Sequence, residues 1–351
     1  MTDRQFFHCL KENGPMTRAA IAKKTGISRP TISESAQRLE KAGMVVETTR
    51  KSKNKQGRAG VIYEVNASKG LTLAIAIDVK QIQLRLTDLS LKVIRDQCFY
   101  IDPGWQQEEL AQAILRFIRM AIQDQNSPLL AIGVSVAVPV NYLTGEILAL
   151  PYSKFSIIHG INFKQLFQQN FDCPVTLDND VNWATLAEKS LGIAKHVSDF
   201  VFIYFGEGIG AGIFLDNHLM RGAAGISGEI GHIMLGKNEN LQDFVTNQKL
   251  PEALEEGADL TGHLAICQIA STLATIAAVV NPKMFVLGGP MTKYPQFIPA
   301  IINEIQPMLF NKVSFVPSNA PNYAPLNGVQ AGTYELALTS FGLPTPPEPT
   351  L

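Results

Sequence analysis

The segment Leu177-Asp178-Asn179-Asp180-Val181-Asn182 sets carboxylates and amides where an apolar strand gives way to a helix. The carboxyl end of a strand is where an α/β sheet binds ligand. Asp180 there could take a proton from a hydroxyl as a general base, and the same residues could equally serve as a helix cap. In Gly228-Glu229-Ile230-Gly231-His232, the carboxylate and the imidazole stand three residues apart and could meet one ligand. A lone Glu-x-x-His is also ordinary surface chemistry. Gly206-Glu207-Gly208-Ile209-Gly210-Ala211-Gly212 holds four glycines, which would let backbone N–H groups approach a phosphate. A tight β-turn accounts for it as well. Gly288-Gly289, at the end of an apolar run, would let a nucleotide lie close, or simply leave the strand.

The elements that must position these residues alternate. Strands are expected over 71–77, 82–87 and 93–100, then an amphipathic helix over 108–122 and a buried strand over 130–136. Further strands are expected at 175–177, 200–205, 211–215 and 284–287, with a long helix over 264–280 and further elements at 298–309, 313–316 and 330–338. Three strands followed by alternating units, appearing twice, describe two related α/β lobes with a cleft between them.

The first 68 residues differ in charge from the rest. They carry thirteen Lys and Arg against six Asp and Glu, a net of +7, so the −1 of the whole chain leaves −8 for residues 69–351. A small basic domain on a large acidic one points to a nucleic-acid reader. The pattern is a winged helix-turn-helix. A helix over 3–12 carries Phe6, Phe7 and Leu10 on one side and stops at Asn13-Gly14-Pro15. Thr17 caps a helix over 18–24 with Ala20 and Ile21 inward. Ser28 caps a third helix, with Pro30 in its first turn and Ile32, Ala36 and Leu39 as its buried stripe. Arg29, Thr31, Ser33 and Glu34 then stand at the end that enters a major groove. After Gly43, strands at 44–47 and 61–65 flank a basic wing whose Lys51, Lys53 and Lys55 would neutralise phosphates. Arg58, after Gly57, would reach a minor groove.

The chain is long enough for two or three domains. No apolar run approaches the ~20 residues of a membrane span, and the N-terminus lacks a signal-peptide core. The four cysteines are scattered, with no CxxC pair, which argues against a disulfide framework or a cysteine zinc site. A cytoplasmic protein is expected.

Taken together, LDNDVNWATLAE at 177–188, GEIGH at 228–232 and the glycine segments resemble the ROK family of bacterial sugar kinases and sugar-responsive repressors. The resemblance runs from about Leu71 to Leu338, and the winged helix in front resembles the repressor branch. It implies an α/β fold with an actin-like (ribonuclease H-like) two-lobe body. The domains would be a winged helix-turn-helix at 1–68, one lobe at 69–182 completed by a helix at 327–341, a second lobe at 183–326 and a tail at 342–351. It implies sugar in the cleft, Asp180 at the position of the family's catalytic base, Asn179 on a sugar hydroxyl, and Glu229 and His232 holding the ring.

The departures from the family pattern bear on chemistry. Where its kinases have Asp-x-Gly-Gly-Thr, this chain has Asp78-Val79-Lys80-Gln81-Ile82. Where they have Gly-Thr-Gly, it has Gly206-Glu207-Gly208, and a carboxylate there repels phosphate. ATP is thus not expected as a cofactor, and Asp180 would be a vestigial base. The family's cysteine loop after the GEIGH-like segment is missing, since 233–246 holds no cysteine, so no zinc is expected. The place of a sugar-touching glutamate falls to Gln242 or Asp243. The expected function is a DNA-binding repressor that senses a sugar or sugar derivative. It would act as a homodimer or tetramer on a double-stranded operator, without a membrane partner. A sugar kinase, or a repressor governed by a protein partner, are the alternatives.

Overall fold

The computed structural model describes residues 2–48, 60–148, 156–319 and 324–343. Helix α1 (Thr2–Asn13) buries Phe6, Phe7, Cys9 and Leu10. Strand β1 (Met16–Thr17), α2 (Arg18–Thr25) and α3 (Arg29–Lys41) follow. Both expected caps form: the Thr17 side chain accepts from Ala20 N–H and the Ser28 hydroxyl from Thr31 N–H. The inward face of α2 is Ile21 and Ala22, one residue on from the expected pair. Helix α3 ends in a Schellman turn. Gly43, at φ 70°, donates to Glu40 O at 2.9 Å and Met44 N–H donates to Leu39 O at 2.8 Å. Strands β2 (Val45–Thr48) and β3 (Ile62–Val65) pair antiparallel, and β1 adds to the other edge of β3. The two residues of β1 are too few to carry an alternating pattern, so the sequence gives no sign of that strand.

Strands β4 (Leu71–Ile77), β5 (Gln81–Asp88) and β6 (Val93–Tyr100) form an antiparallel meander. Helix α4 (Gln107–Ile122), β7 (Leu129–Val136), α5 (Phe163–Asn170) and β8 (Val175–Asn179) complete a sheet of order β6-β5-β4-β7-β8. After α6 (Asp180–Ser190) come β9 (Phe200–Phe205), β10 (Ile209–Leu215) and β11 (His218–Leu219). Helices α7 (Leu241–Asn247), α8 (Leu250–Glu255) and α9 (Leu264–Val280) then lead to β12 (Met284–Gly288), α10 (Phe297–Ile305), β13 (Ser314–Pro317) and α11 (Ala324–Ser340). The second sheet has order β11-β10-β9-β12-β13. Both sheets therefore read third, second, first, fourth, fifth in chain order. One topology is used twice, as the repeated three-strand pattern predicts.

The chain divides into two compact units. One comprises Met1–Val134, Gly160–Thr176 and Gly332–Leu351, the other Ser135–His159 and Leu177–Ala331. In the first, the winged helix shares a core with the body: Phe6, Phe7 and Leu10 belong to one apolar cluster with Leu89, Tyr334, Leu338 and Leu343. The Tyr334 hydroxyl donates to Leu89 O at 3.0 Å. Arg4 pairs with Glu335 and donates through Nη1 to Leu343 O at 2.7 Å. In the second unit, β9 is apolar on both faces. Val201, Ile203 and Phe205 pack toward α9 and α10, while Phe200 and Phe202 pack toward Ala184 of α6. That two-sided burial is why 200–205 reads as a continuous apolar run.

Candidate functional site

The N-terminus of α6 gathers the polar residues singled out in the sequence. Asn179 is its N-cap, and its Oδ1 accepts from Asn182 N–H at 2.7 Å. Asp180 is the first helical residue and accepts from its neighbour Val181 N–H at 2.9 Å. A carboxylate there is favoured by the helix dipole. Both the ligand and the cap readings of this segment thus fall on the same turn, and the Asn179 oxygen is committed to the cap.

Asp178, which sequence reasoning passed over, is the most connected group here. It is buried and accepts from Asn179 N–H at 2.9 Å, Asn182 Nδ2 at 2.7 Å and Arg221 Nε at 2.6 Å. The Arg221 guanidinium lies over the Tyr142 ring, 4.9 Å from its centroid. A second missed carboxylate, Glu188, is fully buried near the end of α6. It accepts from Ile193 N–H at 3.1 Å and from the Ser318 hydroxyl.

Glu229 precedes and His232 ends a short 3₁₀ turn over Ile230–His232, a geometry in which residues three apart eclipse. Glu229 is half-buried and His232 exposed. Burial, and after it the charge of Asp180, push the Glu229 carboxyl up to about 7. The two carboxylates therefore feel each other across the site, as like charges do. Gln242, in the first turn of α7, donates from Nε2 to Glu207 O at 2.9 Å, and its Oε1 is buried without a partner. Asp243 is exposed beside it.

Several glycines of these segments have a packing role. Only Gly206-Glu207-Gly208 forms the turn, since β10 already starts at Ile209. A Cβ on Gly210 would meet Val181 at 3.1 Å, and one on Gly212 would meet Thr185 at 1.7 Å. These two glycines let β10 lie against α6. A Cβ on Gly288 would strike the Phe202 ring at 2.7 Å, and Gly289, at φ 95°, sits on the Phe205 backbone. At the other glycine-poor site, the Asp78 carboxylate accepts from Lys80 and Gln81 N–H at 2.8 Å each and so closes the β4–β5 turn.

Beside His232, Leu235 N–H donates to Glu239 O at 2.9 Å and Met234 bridges Asn240, closing a hairpin. No group of three or more His, Cys, Asp or Glu able to hold a metal occurs among the described residues. A structural zinc takes about four such ligands, so the residues present do not fit one.

At the basic end, Arg29 and Glu34 are exposed at the start of α3, whereas Thr31 and Ser33 are half-buried. The Thr31 hydroxyl lies 2.7 Å from that of Ser28, so it is drawn into the cap. Arg38 grips Asp3 with Nε and Nη2 at 2.8 and 2.7 Å, which holds the Asp3 carboxyl below its ordinary value, and stands 3.8 Å from Glu34. Lys51, Lys53, Lys55 and Arg58 lie outside the described residues.

Residues 72–243 match the ROK family, and residues 2–46 match a winged helix-turn-helix DNA-binding domain. The chain thus carries a ROK family domain behind a winged helix-turn-helix. It is 25% identical to a xylose repressor of Caldicellulosiruptor bescii over 87% of this chain and 86% of that one. It is also 25% identical to a xylose repressor of Bacillus spizizenii over 91% of each. Among solved structures it is similar to a ROK family transcriptional regulator described as a homologue of the E. coli MLC protein, with a TM-score of 0.69, 20% identity and 97% of this chain and 98% of that one covered. A ROK hexokinase from Thermus thermophilus is similar to it with a TM-score of 0.62 at 20% identity, over 75% of this chain and 98% of the hexokinase. These structures share the fold of a winged-helix ROK regulator and of its kinase cousins. No helix among the described residues is long and apolar enough to cross a membrane.

Proposed function

We propose that this chain is a sugar-responsive DNA-binding repressor whose body binds a sugar or sugar derivative at the α6 N-terminus and transmits that binding to operator affinity. The observation that carries the reading is the pairing of a capped recognition helix, with Arg29 exposed at its start, and a body holding Asn179, Asp180 and Glu229 together. Arg29, Thr31, Ser33 and Glu34 are assigned to the major groove, the lysines of the wing to phosphates and Arg58 to the minor groove. Asn179, Asp180, Glu229, His232 and Gln242 are assigned to the sugar. The xylose repressors among its relatives make D-xylose the first sugar to try. Operators of this kind carry two half-sites, so a homodimer or a tetramer built from it is the working unit. Sugar acts by favouring one of two states, which requires unequal affinity for them.

Asp180 at the head of α6 favours a second reading, a sugar kinase. Two features argue against it: Asp78 closes a turn with its own carboxylate, and Glu207 stands in the other phosphate turn. We assign no ATP, no zinc and no other resident cofactor. A thermal-shift titration with D-xylose, D-glucose and N-acetyl-D-glucosamine, each with and without ATP, separates the readings, because a ligand of the folded state raises Tm by mass action. A rise with one sugar, none with ATP, and no ADP release in a coupled assay are expected. A rise with ATP together with steady ADP release would establish the kinase instead.

A further inference from the structure

The groups assigned to the sugar offer few hydrogen-bond donors: the Asn179 amide, a ring N–H of His232 and, already bonded to Glu207 O, Gln242 Nε2. Ionised Asp180 and Glu229 only accept, and the Asn179 oxygen is held by Asn182 N–H. A sugar's hydroxyl protons suit such carboxylates, but its ring oxygen and remaining lone pairs need donors from the protein.

Arg221 is a further source of donors, tied to the same first turn of α6. Asp178 holds it from behind through Nε, and the Tyr142 ring supports its plane. The Nη atoms have no partner among the described residues, and the Arg221 side chain is 27% exposed where that of Asp178 is 2%. Two contacts tie it to the segments that carry the carboxylates. Asp178 also binds Asn179 N–H and Asn182 Nδ2, so the ion pair sits on the first turn of α6 with Asp180. Ser227 N–H donates back to Arg221 O at 3.2 Å, which folds the loop so that the Arg221 backbone meets Ser227, two residues before Glu229.

We propose that Arg221 contacts the effector, offering its two Nη groups to a ring or carbonyl oxygen of a neutral sugar while Asp178 fixes the guanidinium. This rests on the sugar-sensor reading. Charge sets the ligand class. Asp178 neutralises Arg221, leaving Asp180, and Glu229 once it ionises above about pH 7, to repel a phosphate or carboxylate. A neutral sugar is therefore bound in preference to its phosphorylated form.

Isothermal calorimetry on the full chain with D-xylose, D-glucose, N-acetyl-D-glucosamine and glucose 6-phosphate tests it. Wild type should bind at least one neutral sugar and bind glucose 6-phosphate more weakly than glucose. Arg221→Gln should lose about tenfold or more in affinity, as expected for a charged hydrogen bond. A residue that only pins the loop would be replaced by the neutral pair Asp178→Asn with Arg221→Gln, whose amides can bond each other. We expect that double variant to bind as poorly as Arg221→Gln, and recovery of wild-type affinity would overturn the proposal. Should the double variant not fold, Arg221→Lys decides, because it keeps the charge and the pairing with Asp178 but loses the fork. A loss of affinity at unchanged Tm supports the proposal, and wild-type affinity overturns it. Wild-type binding that Arg221→Gln retains overturns the proposal alone. Absence of heat from wild type with all three neutral sugars overturns the sensor reading, and the proposal with it.

Discussion

The DNA-reading end and the α6 end of this chain are built by different logic. In the winged helix the contacts that end the recognition helix are local: Ser28 caps three residues ahead, and Gly43 and Met44 close the turn they follow. At α6 the central contact, Asp178 to Arg221, spans 43 positions of sequence. Local chemistry can be read from a short window, whereas a buried ion pair becomes visible only once the sheet brings its halves together. The difference also sets how each end should fail. Losing a cap weakens one helix, while losing Asp178 leaves several groups without partners at once.

The largest effect expected is therefore at Asp178. Asp178→Ala removes one partner of a buried pair and orphans the Asn182 amide, which costs about 3–5 kcal/mol. Chemical denaturation should show it as a lower midpoint at unchanged slope. A loss below about 1 kcal/mol would erase the contrast between the two ends.

Glu229 sharpens the contrast through pH. Its folded carboxyl titrates near 7, against an ordinary value of 4.5. Between those values the folded state holds a proton that the unfolded state has released, so stability falls as pH rises from about 4.5 to about 7. The full difference is on the order of 3 kcal/mol. Glu229→Gln should leave Tm at pH 4.5 nearly unchanged and raise it at pH 8. Hydroxyl donors prefer the ionised carboxylate, so wild-type sugar affinity should also climb between pH 6 and pH 8, with protons released to buffer. A flat pH profile in both measurements would remove Glu229 from the site.

The smallest effect lies at the recognition helix. Ser28→Ala should cost about 1 kcal/mol, the usual worth of an N-cap, and hydrogen exchange should quicken in α3 before it quickens in β9. Equal acceleration in both would mean that the helix does not open on its own.

The same division explains what could be read in advance. The caps at Thr17 and Ser28, the stripe of Ile32, Ala36 and Leu39, and the strands Leu71–Ile77, Val93–Tyr100 and Phe200–Phe205 follow from spacing within one element. So does the cluster at 177–182, because it starts a helix. The packing role of Gly210 and Gly212 could not be read, since their need for smallness comes from Val181 and Thr185 across the packing between β10 and α6. Strand β1 was too short to show, and Arg221 lies in a segment with no pattern that would set it apart. The shared core of Phe6 and Tyr334 joins positions more than three hundred residues apart, which no local pattern reports.

The most direct test of the central claim is a DNA-selection experiment with the full chain. The protein is used to enrich a random duplex pool, and its affinity for the selected site is then measured by fluorescence anisotropy as a sugar that binds by calorimetry, D-xylose first, is titrated in. A sugar-responsive repressor should enrich one site with two related half-sites, and the sugar should shift its Kd at constant salt. Failure to enrich any sequence, or a Kd that stays fixed while the sugar is bound, would contradict the account.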